Sequence, residues 1–272
     1  MYRFFVSPEQ LEVDAHGQVR AAHITASEAA HAARVLRLQT GTQVVVCDGT
    51  GMEYLAVLEK VTPTHCHAQV TEQRMCPAEP GISVCLMQGL AKGDKMDWIV
   101  QKSVELGVTA VFPVQTAYSV VRLDAAKAKG RVERWRKIAQ EAAKQCGRAV
   151  PPHIYAPAPL SVAVEQVRAR HLLIPWENAV LPLRTALQQE LRREKTAGAV
   201  PQAASPYDFG IVIGPEGGLP SEEVQPLSAH GAVAVTLGSR ILRTETAAIA
   251  TLTAVLYELG EFGDNRSLTE WR

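Results

Sequence analysis

Two stretches late in the sequence carry residue types that could hold a ligand and act on it. The first, IGPEGGLPSEEV (residues 213–224), sets Gly214, Pro215, Glu216, Gly217 and Gly218 ahead of an acidic, helix-like run. Glycine lets backbone amides and carbonyls approach a ligand closely and adopts positive φ, so Gly217 and Gly218 are expected to make the turn. Ser221 is a good helix N-cap, with Glu222 and Glu223 favoured in the first helical turn. Capping alone accounts for much of this composition, and a plain strand-to-helix connection is the competing reading. The second stretch, LGSRILRTET (237–246), sets Arg240 and Arg243 around Ile241 and Leu242. Two guanidinium groups in a loop that returns to a core are costly unless an anionic ligand or a carboxylate pairs with them. Pairing of Arg243 with Glu245 or Glu216 would be the purely structural solution.

Loops of this kind need a scaffold. From residue 82 onward apolar strands alternate with amphipathic helices. ISVCLMQGL, TAVFPVQ, HIYAP, HLLIPW, DFGIVIG and AVAVTLG are separated by helical patterns over 94–106, 125–146, 160–169, 182–194 and 221–230, and a last one covers 244–259. This order predicts an α/β fold with a parallel sheet covered on both faces. Ligands of such sheets bind where the carboxyl ends of strands lead into helices, which selects IPWEN (174–178), GPEGGLPSEE (214–223) and LGSRILRTET. Upstream, the short alternating runs QVRAAHI, TQVVVCD, EYLAVLEKV and HAQVTEQ, with one helical insertion, SEAAHAARVLRL, predict a small β-barrel-like domain. The prolines and glycine of RMCPAEPG (74–81) mark the boundary, giving domains at 1–73 and 74–272. EKTAGAVPQAASP (194–206) reads as a surface loop.

Composition bounds the rest. A chain of 272 residues with 47% hydrophobic content is long enough to bury substantial cores and excludes a disordered protein. No apolar run approaches the length of a membrane helix, and the first residues lack the core of a secretion signal, so an intracellular protein is expected. Five scattered cysteines without a C-x-x-C pair suit a reducing compartment without structural disulfides. The charges balance at 28 basic and 28 acidic residues, but residues 122–148 hold nine Lys/Arg against three Asp/Glu, the place where a polyanion would be gripped first.

Other signals are weaker. VVVCDGTGMEY (44–54) imitates a nucleotide-binding strand end, yet EYLAVLEKV after it reads as a strand and not the required helix. His65 and His67 share one face of a strand with no matching ligand pair in view, so no metal site is expected. Trp98 is expected to pack and not to stack on a base. Neither a Walker sequence nor a nucleophile elbow is present.

GPEGG followed about twenty residues later by LGSRILRTETA resembles the signature of SPOUT-class methyltransferases, and specifically of the RsmE family of 16S ribosomal RNA uridine N3-methyltransferases. RFF (3–5), HAARVLR (31–37), KGDKMDWIVQKSVELGV (92–108) and RWRKIAQEAAKQCGR (134–148) extend the resemblance almost end to end. Ala117 and Tyr118 before Ser119, and Val150 and His153 after Arg148, depart from the pattern; both pairs are expected to lie away from the cofactor loops.

The resemblance implies a PUA-like β-barrel followed by a SPOUT-type parallel sheet with a C-terminal deep trefoil knot. S-adenosylmethionine would lie in the knot against Ile174, Pro175, Trp176, Gly214, Pro215, Glu216, Gly217, Gly218, Leu237, Gly238, Arg240, Ile241, Leu242 and Thr246. Arg243 would stabilise the anion of the target base, with Glu245 or Glu216 orienting it or removing the proton. Arg134, Lys137, Lys144 and Arg148, and secondarily Arg3, His31, Arg34 and Arg37, would contact RNA of the small ribosomal subunit. A cytoplasmic homodimer is implied as well. Methylation of a ribose 2′-hydroxyl and a non-enzymatic assembly role are the alternative functions.

Overall fold

The computed structural model describes residues 1–197 and 205–262. Two compact units emerge, one made of Met1–Glu79 with Ala143–Pro151, the other of Pro80–Ala142 with 152–262.

The first unit is a six-stranded sheet. Its strands are β1 (Tyr2–Phe5), β2 (Leu11–Val13), β3 (Val19–Thr25), β4 (Gln43–Cys47), β5 (Met52–Val61) and β6 (His65–Met75), with helix α1 (Ala26–Ala30) and a π-helical turn (His31–Val35) after β3. They are ordered β1-β4-β5-β6-β3-β2, antiparallel except for the β1–β4 pair. Period-two alternation sends Phe4, Ala22, Ile24, Val44, Val46, Tyr54, Ala56, Leu58, Cys66 and Ala68 into one core, closed at one end by Ala29, Ala32 and Leu38. All of the strand patterns read from the sequence are present, and EYLAVLEKV is indeed a strand; β1 and β2, too short to show a period, were not anticipated.

One carboxylate inside this unit is nearly inaccessible. Glu53 is 1% exposed and accepts from Arg3 Nη2 at 2.9 Å and Arg74 Nε at 2.6 Å. Arg3 also donates to Cys47 Sγ.

The second unit contains β7 (Val84–Gly89), α2 (Lys95–Leu106), β8 (Ala110–Gln115), α3 (Ala125–Cys146, whose last four residues belong to the first unit), β9 (His153–Ile154) and β10 (Ala158–Pro159). It continues with α4 (Leu160–Val167), β11 (Ala169–Pro175), α5 (Leu183–Ala197), β12 (Tyr207–Ile213), α6 (Ser221–Ala229), β13 (Val233–Val235) and α7 (Thr244–Glu258). Every strand pair is parallel, in the order β10-β8-β7-β12-β11-β13 with β9 also on β8. Alternate residues of the central strands, such as Met87, Phe112 and Val212, pack with Leu160, Ala163, Val224 and Leu227 of α4 and α6. On the last connection the chain turns back from β13 at the edge, and α7 lies against β12 and α2.

Local chemistry sets the ends of these helices. Gly107, at φ +108°, closes α2 in a Schellman motif, its amide bonded to Val104 O and that of Val108 to Ser103 O. Pro220, not Ser221, occupies the N-cap of α6. Of the loop anticipated over 194–206, residues 194–197 end α5 and 198–204 lie outside the described residues.

Replacement of Glu53 by Ala strands a buried guanidinium. It is expected to cost about 3 kcal/mol in chemical unfolding, whereas Gln73→Ala at an exposed position of the same sheet changes the midpoint little.

Candidate active site

The carboxyl ends of β11 and β12, the loop after β12 and the starts of α2 and α7 enclose a cavity of about 610 Å³, within the range of small-ligand sites. Its floor is a close approach of backbones. A Cβ on Gly89 would lie 2.5 Å from Pro215 N, and one on Gly214 would lie 2.8 Å from the carbonyl carbon of Gly218. Gly218 has φ +73° and its amide bonds to Pro215 O, so Glu216 and Gly217 are the central residues of a tight turn. Thr244 Oγ1 donates to Gly214 O at 2.6 Å, and Gln88 Nε2 donates to Thr244 Oγ1 at 2.9 Å. Trp176 Nε1 donates to Leu219 O, holding the far side of the loop.

The charges on the wall are Lys95, Glu177, Glu216 and Arg243. Lys95 Nζ stands 3.3 Å from Glu216 and 3.2 Å from Glu245, and Glu216 also accepts from the Lys92 amide at 3.0 Å. Partial burial opposes ionisation of Glu216, but the amide bonds from Lys92 and its own backbone and the Lys95 ammonium outweigh it, so the carboxyl titrates below its ordinary value. Desolvation works against the Lys95 ammonium; the two carboxylates prevail and raise its pKa.

Of the residues anticipated for the cofactor, Pro175, Gly214, Pro215, Glu216, Gly217, Gly218, Ile241 and Leu242 line the cavity. Ile174 is buried within the sheet, Trp176 acts through its bond to Leu219, and Leu237, Gly238, Arg240 and Thr246 are not on the wall. Arg240 and Arg243 are exposed, so neither incurs the burial cost inferred for that loop, and Glu245 and Glu216 bond Lys95 and not Arg243. Lys95, Glu177, Ile213, Leu219, Thr244 and Ala247 line it and were missed. The rule that selected the other loops, applied to the end of β7, would have reached Lys95. Tyr118 was placed away from the loops; its Cβ sits where a side chain on Gly217 would go, and the Ala117 amide donates to Glu223.

The basic candidates disperse. Arg3 is paired with Glu53, Lys144 with Glu28 at 2.7 Å, and the 3%-exposed Arg148 with Glu79 at 3.1 Å. These three are committed to carboxylates inside the first unit and do not form a surface stripe. Arg134 is exposed and pairs with Asp97, which also accepts from Trp135 Nε1. Lys137, Arg34 and Arg37 are exposed and His31 is half-buried. Trp98, anticipated as packing, is 43% exposed.

Residues 78–256 match the RNA methyltransferase domain family, and residues 24–71 match the RNA methyltransferase PUA domain. The chain is 34% identical to the ribosomal RNA small subunit methyltransferase E of Bacillus subtilis over 260 residues, 95% of this chain and 97% of that protein. The chain belongs to the RsmE family. A member from Neisseria gonorrhoeae solved with S-adenosylmethionine superposes with a TM-score of 0.75 at 28% identity, covering 95% of this chain and 98% of that one. A methyltransferase from Legionella pneumophila, also solved with S-adenosylmethionine, gives 0.77 at 28% identity, covering 94% and 97%. The fold is thus the RsmE one, a PUA-like unit and a SPOUT-type α/β unit, as the resemblance implied.

Gly214→Ala forces backbone apart at the cavity floor, and S-adenosylmethionine affinity measured by calorimetry should fall at least about tenfold, as for a site losing some 1.4 kcal/mol. Glu216, with a lowered folded pKa, contributes above about pH 4.5 and loses that contribution as pH falls through the folded value; Lys95, with a raised one, contributes below about 10.5 and loses it as pH rises through its own. The melting difference between wild type and Lys95→Met should therefore stay level across the neutral range and shrink at both extremes. A difference that grows in acid would be incompatible with these pairings.

Proposed function

We propose that the chain uses S-adenosylmethionine to methylate N3 of a specific uridine in 16S ribosomal RNA of the small subunit. Family membership supports the reaction class, and the cavity is the observation that carries the reading. Its glycine floor leaves backbone amides and carbonyls where side chains would stand, which suits a flat, polar adenine and a flexible amino-acid tail.

When bound, S-adenosylmethionine supplies an electrophilic methyl group on a sulfonium. The chain must do the rest: admit the base, release the N3 proton and stabilise the charge left on the ring oxygens. Glu216 is ill suited as the base, because its interactions favour the ionised form and weaken its hold on a proton. Glu245 is tied to Lys95 in the same cluster. Arg243, at the N-cap of α7 and on the cavity wall, makes no ion pair among the described residues and is suited to the anion-stabilising role. A buried pairing edge of the target must be swung out to reach it.

The first unit and the exposed cations Lys137, Arg134, Arg34 and Arg37 are our candidates for the RNA contact, with His31 beside them. Pairing of two copies through the second unit accords with the exposed apolar Ile241 and Tyr257. A cytoplasmic location accords with the substrate; among the described residues no helix is long and apolar enough to cross a membrane.

The deciding experiment incubates small subunits lacking their own modification with labelled S-adenosylmethionine and the protein, then identifies the methylated nucleoside. 3-Methyluridine is expected. A ribose-methylated product would favour the 2′-O reaction, and no product despite cofactor binding an assembly role. Arg243→Ala should keep the cofactor affinity and lose roughly a hundredfold in turnover, the size of a lost anion-stabilising donor; unchanged turnover would remove Arg243 from the chemistry.

A further inference from the structure

His65 and His67 lacked matching ligands in the linear sequence, but the sheet supplies them. In the β3–β6 pair His23 lies directly opposite His67, and His65 opposite Thr25. In the β2–β3 pair Glu12 lies opposite Ala21, one diagonal step from His23 on the same face. Glu12 Oε1 is 2.6 Å from His23 Nε2 and 3.7 Å from His67 Nε2, and the ligand atoms of the three residues lie within 4.8 Å of one another.

The opposite edges of both rings are held. His23 Nδ1 is 2.9 Å from His65 Nε2, and His67 Nδ1 is 3.1 Å from Glu59 Oε2. Each imidazole therefore has one nitrogen engaged behind it and the other aimed at Glu12. Metal-bound histidines are oriented this way, the second nitrogen hydrogen-bonded to a carboxylate or another acceptor. A hydrogen-bonded cluster alone needs only one imidazole on the carboxylate; here two converge on the same oxygen.

We propose that Glu12, His23 and His67 bind a zinc-class divalent transition metal on the outer face of the first unit, with His65 and Glu59 orienting the histidines. Two imidazoles and a carboxylate match zinc and its neighbours and are a poor set for magnesium or calcium, which take oxygen ligands. Ligands about 2.0–2.1 Å from a tetrahedral centre lie roughly 3.3 Å apart. The Glu12–His67 separation is close to that, and the Glu12–His23 contact must open by well under an ångström, within reach of a half-exposed glutamate on a three-residue edge strand. A fourth position is left for water. The ion would clip β2, whose register slips between Glu12 and Val13, onto β3 and β6. It takes no part in methyl transfer, whose cavity is lined only by residues of the second unit.

The test uses the untagged full chain, stripped with chelator and titrated with Zn²⁺ by calorimetry and with Co²⁺ by visible absorption. One ion per chain is expected, with a cobalt d–d band, no sulfur-to-cobalt charge transfer, and an upward shift in melting temperature that Mg²⁺ and Ca²⁺ do not reproduce. His23→Gln and His67→Gln should abolish the shift, and Glu59→Gln should weaken binding about tenfold, while His16→Gln, at an exposed turn, leaves it intact. Circular dichroism of the metal-free variants establishes that they fold. No binding at roughly 100 μM metal, an equal response to Mg²⁺, a thiolate band from the cysteines, or binding unchanged in both His23→Gln and His67→Gln would each overturn the proposal.

Discussion

The hydroxyl of Thr244 bonded to the carbonyl of Gly214 is the contact on which the second unit's chemistry rests. It fixes the start of α7 to the end of β12, and Gln88, at the end of β7, donates to the same hydroxyl. Gln88 is fully buried and Thr244 nearly so, where polar groups without partners are costly. Segments far apart in sequence therefore satisfy the Gln88 amide N–H and the Thr244 hydroxyl only when the last helix has come back to the interior strands, while Gln88 Oε1 has no hydrogen-bond partner among the described residues. The same junction is too crowded for side chains at positions 89 and 214. The glycines thus serve the crossing of the chain as much as the ligand, and one geometry meets both needs.

Electrostatics completes the wall. Glu216 follows β12 and Glu245 lies in the first turn of α7, and one ammonium at the start of α2 stands between them. A lysine suits that place: a compact charge on a flexible stem reaches two carboxylates from elements that meet at an angle. Because the arrangement favours the ionised form of Glu216, it holds the loops together at the expense of that carboxylate's basicity. Proton removal is then better served by stabilising the anion than by a strong base, and the cation we propose for that is Arg243, which makes no ion pair among the described residues.

The sequence was most informative where a period or a punctuation mark has one physical cause. The strands and helices of the second unit fall close to their predicted places because parallel strands buried on both faces are apolar throughout and their helices are long; α3 spans the predicted 125–146. The GPEGG turn was legible because a tight turn and close backbone approach both select glycine. Pairings were not. Nothing local to Arg243, Glu245 or Glu216 announces that Lys95, more than a hundred residues earlier, takes both carboxylates. Nor does HCH, taken alone, reveal that β3 will lay His23 across from His67. Register decides that, and register follows from which face the whole strand buries.

The basic stretch shows the same limit in a form that bears on RNA. Counting charges over 122–148 suggests an open cationic strip, yet Lys144 and Arg148 are spent on Glu28 and Glu79, and Lys127 and Arg134 stand beside Asp124 and Asp97. The buried pairs cannot turn to a phosphate without leaving a carboxylate uncompensated inside the first unit, a loss no single phosphate contact repays. The exposed Arg134–Asp97 pair is different: surface pairs are weak, and a phosphate can displace the carboxylate at small cost. Only cations of that second kind, with exposed ones such as Lys137, can release counterions on binding. The salt dependence of RNA association should accordingly reflect far fewer charges than the nine in the stretch, and the selectivity of the contact must then come from shape and from the base held at the cavity.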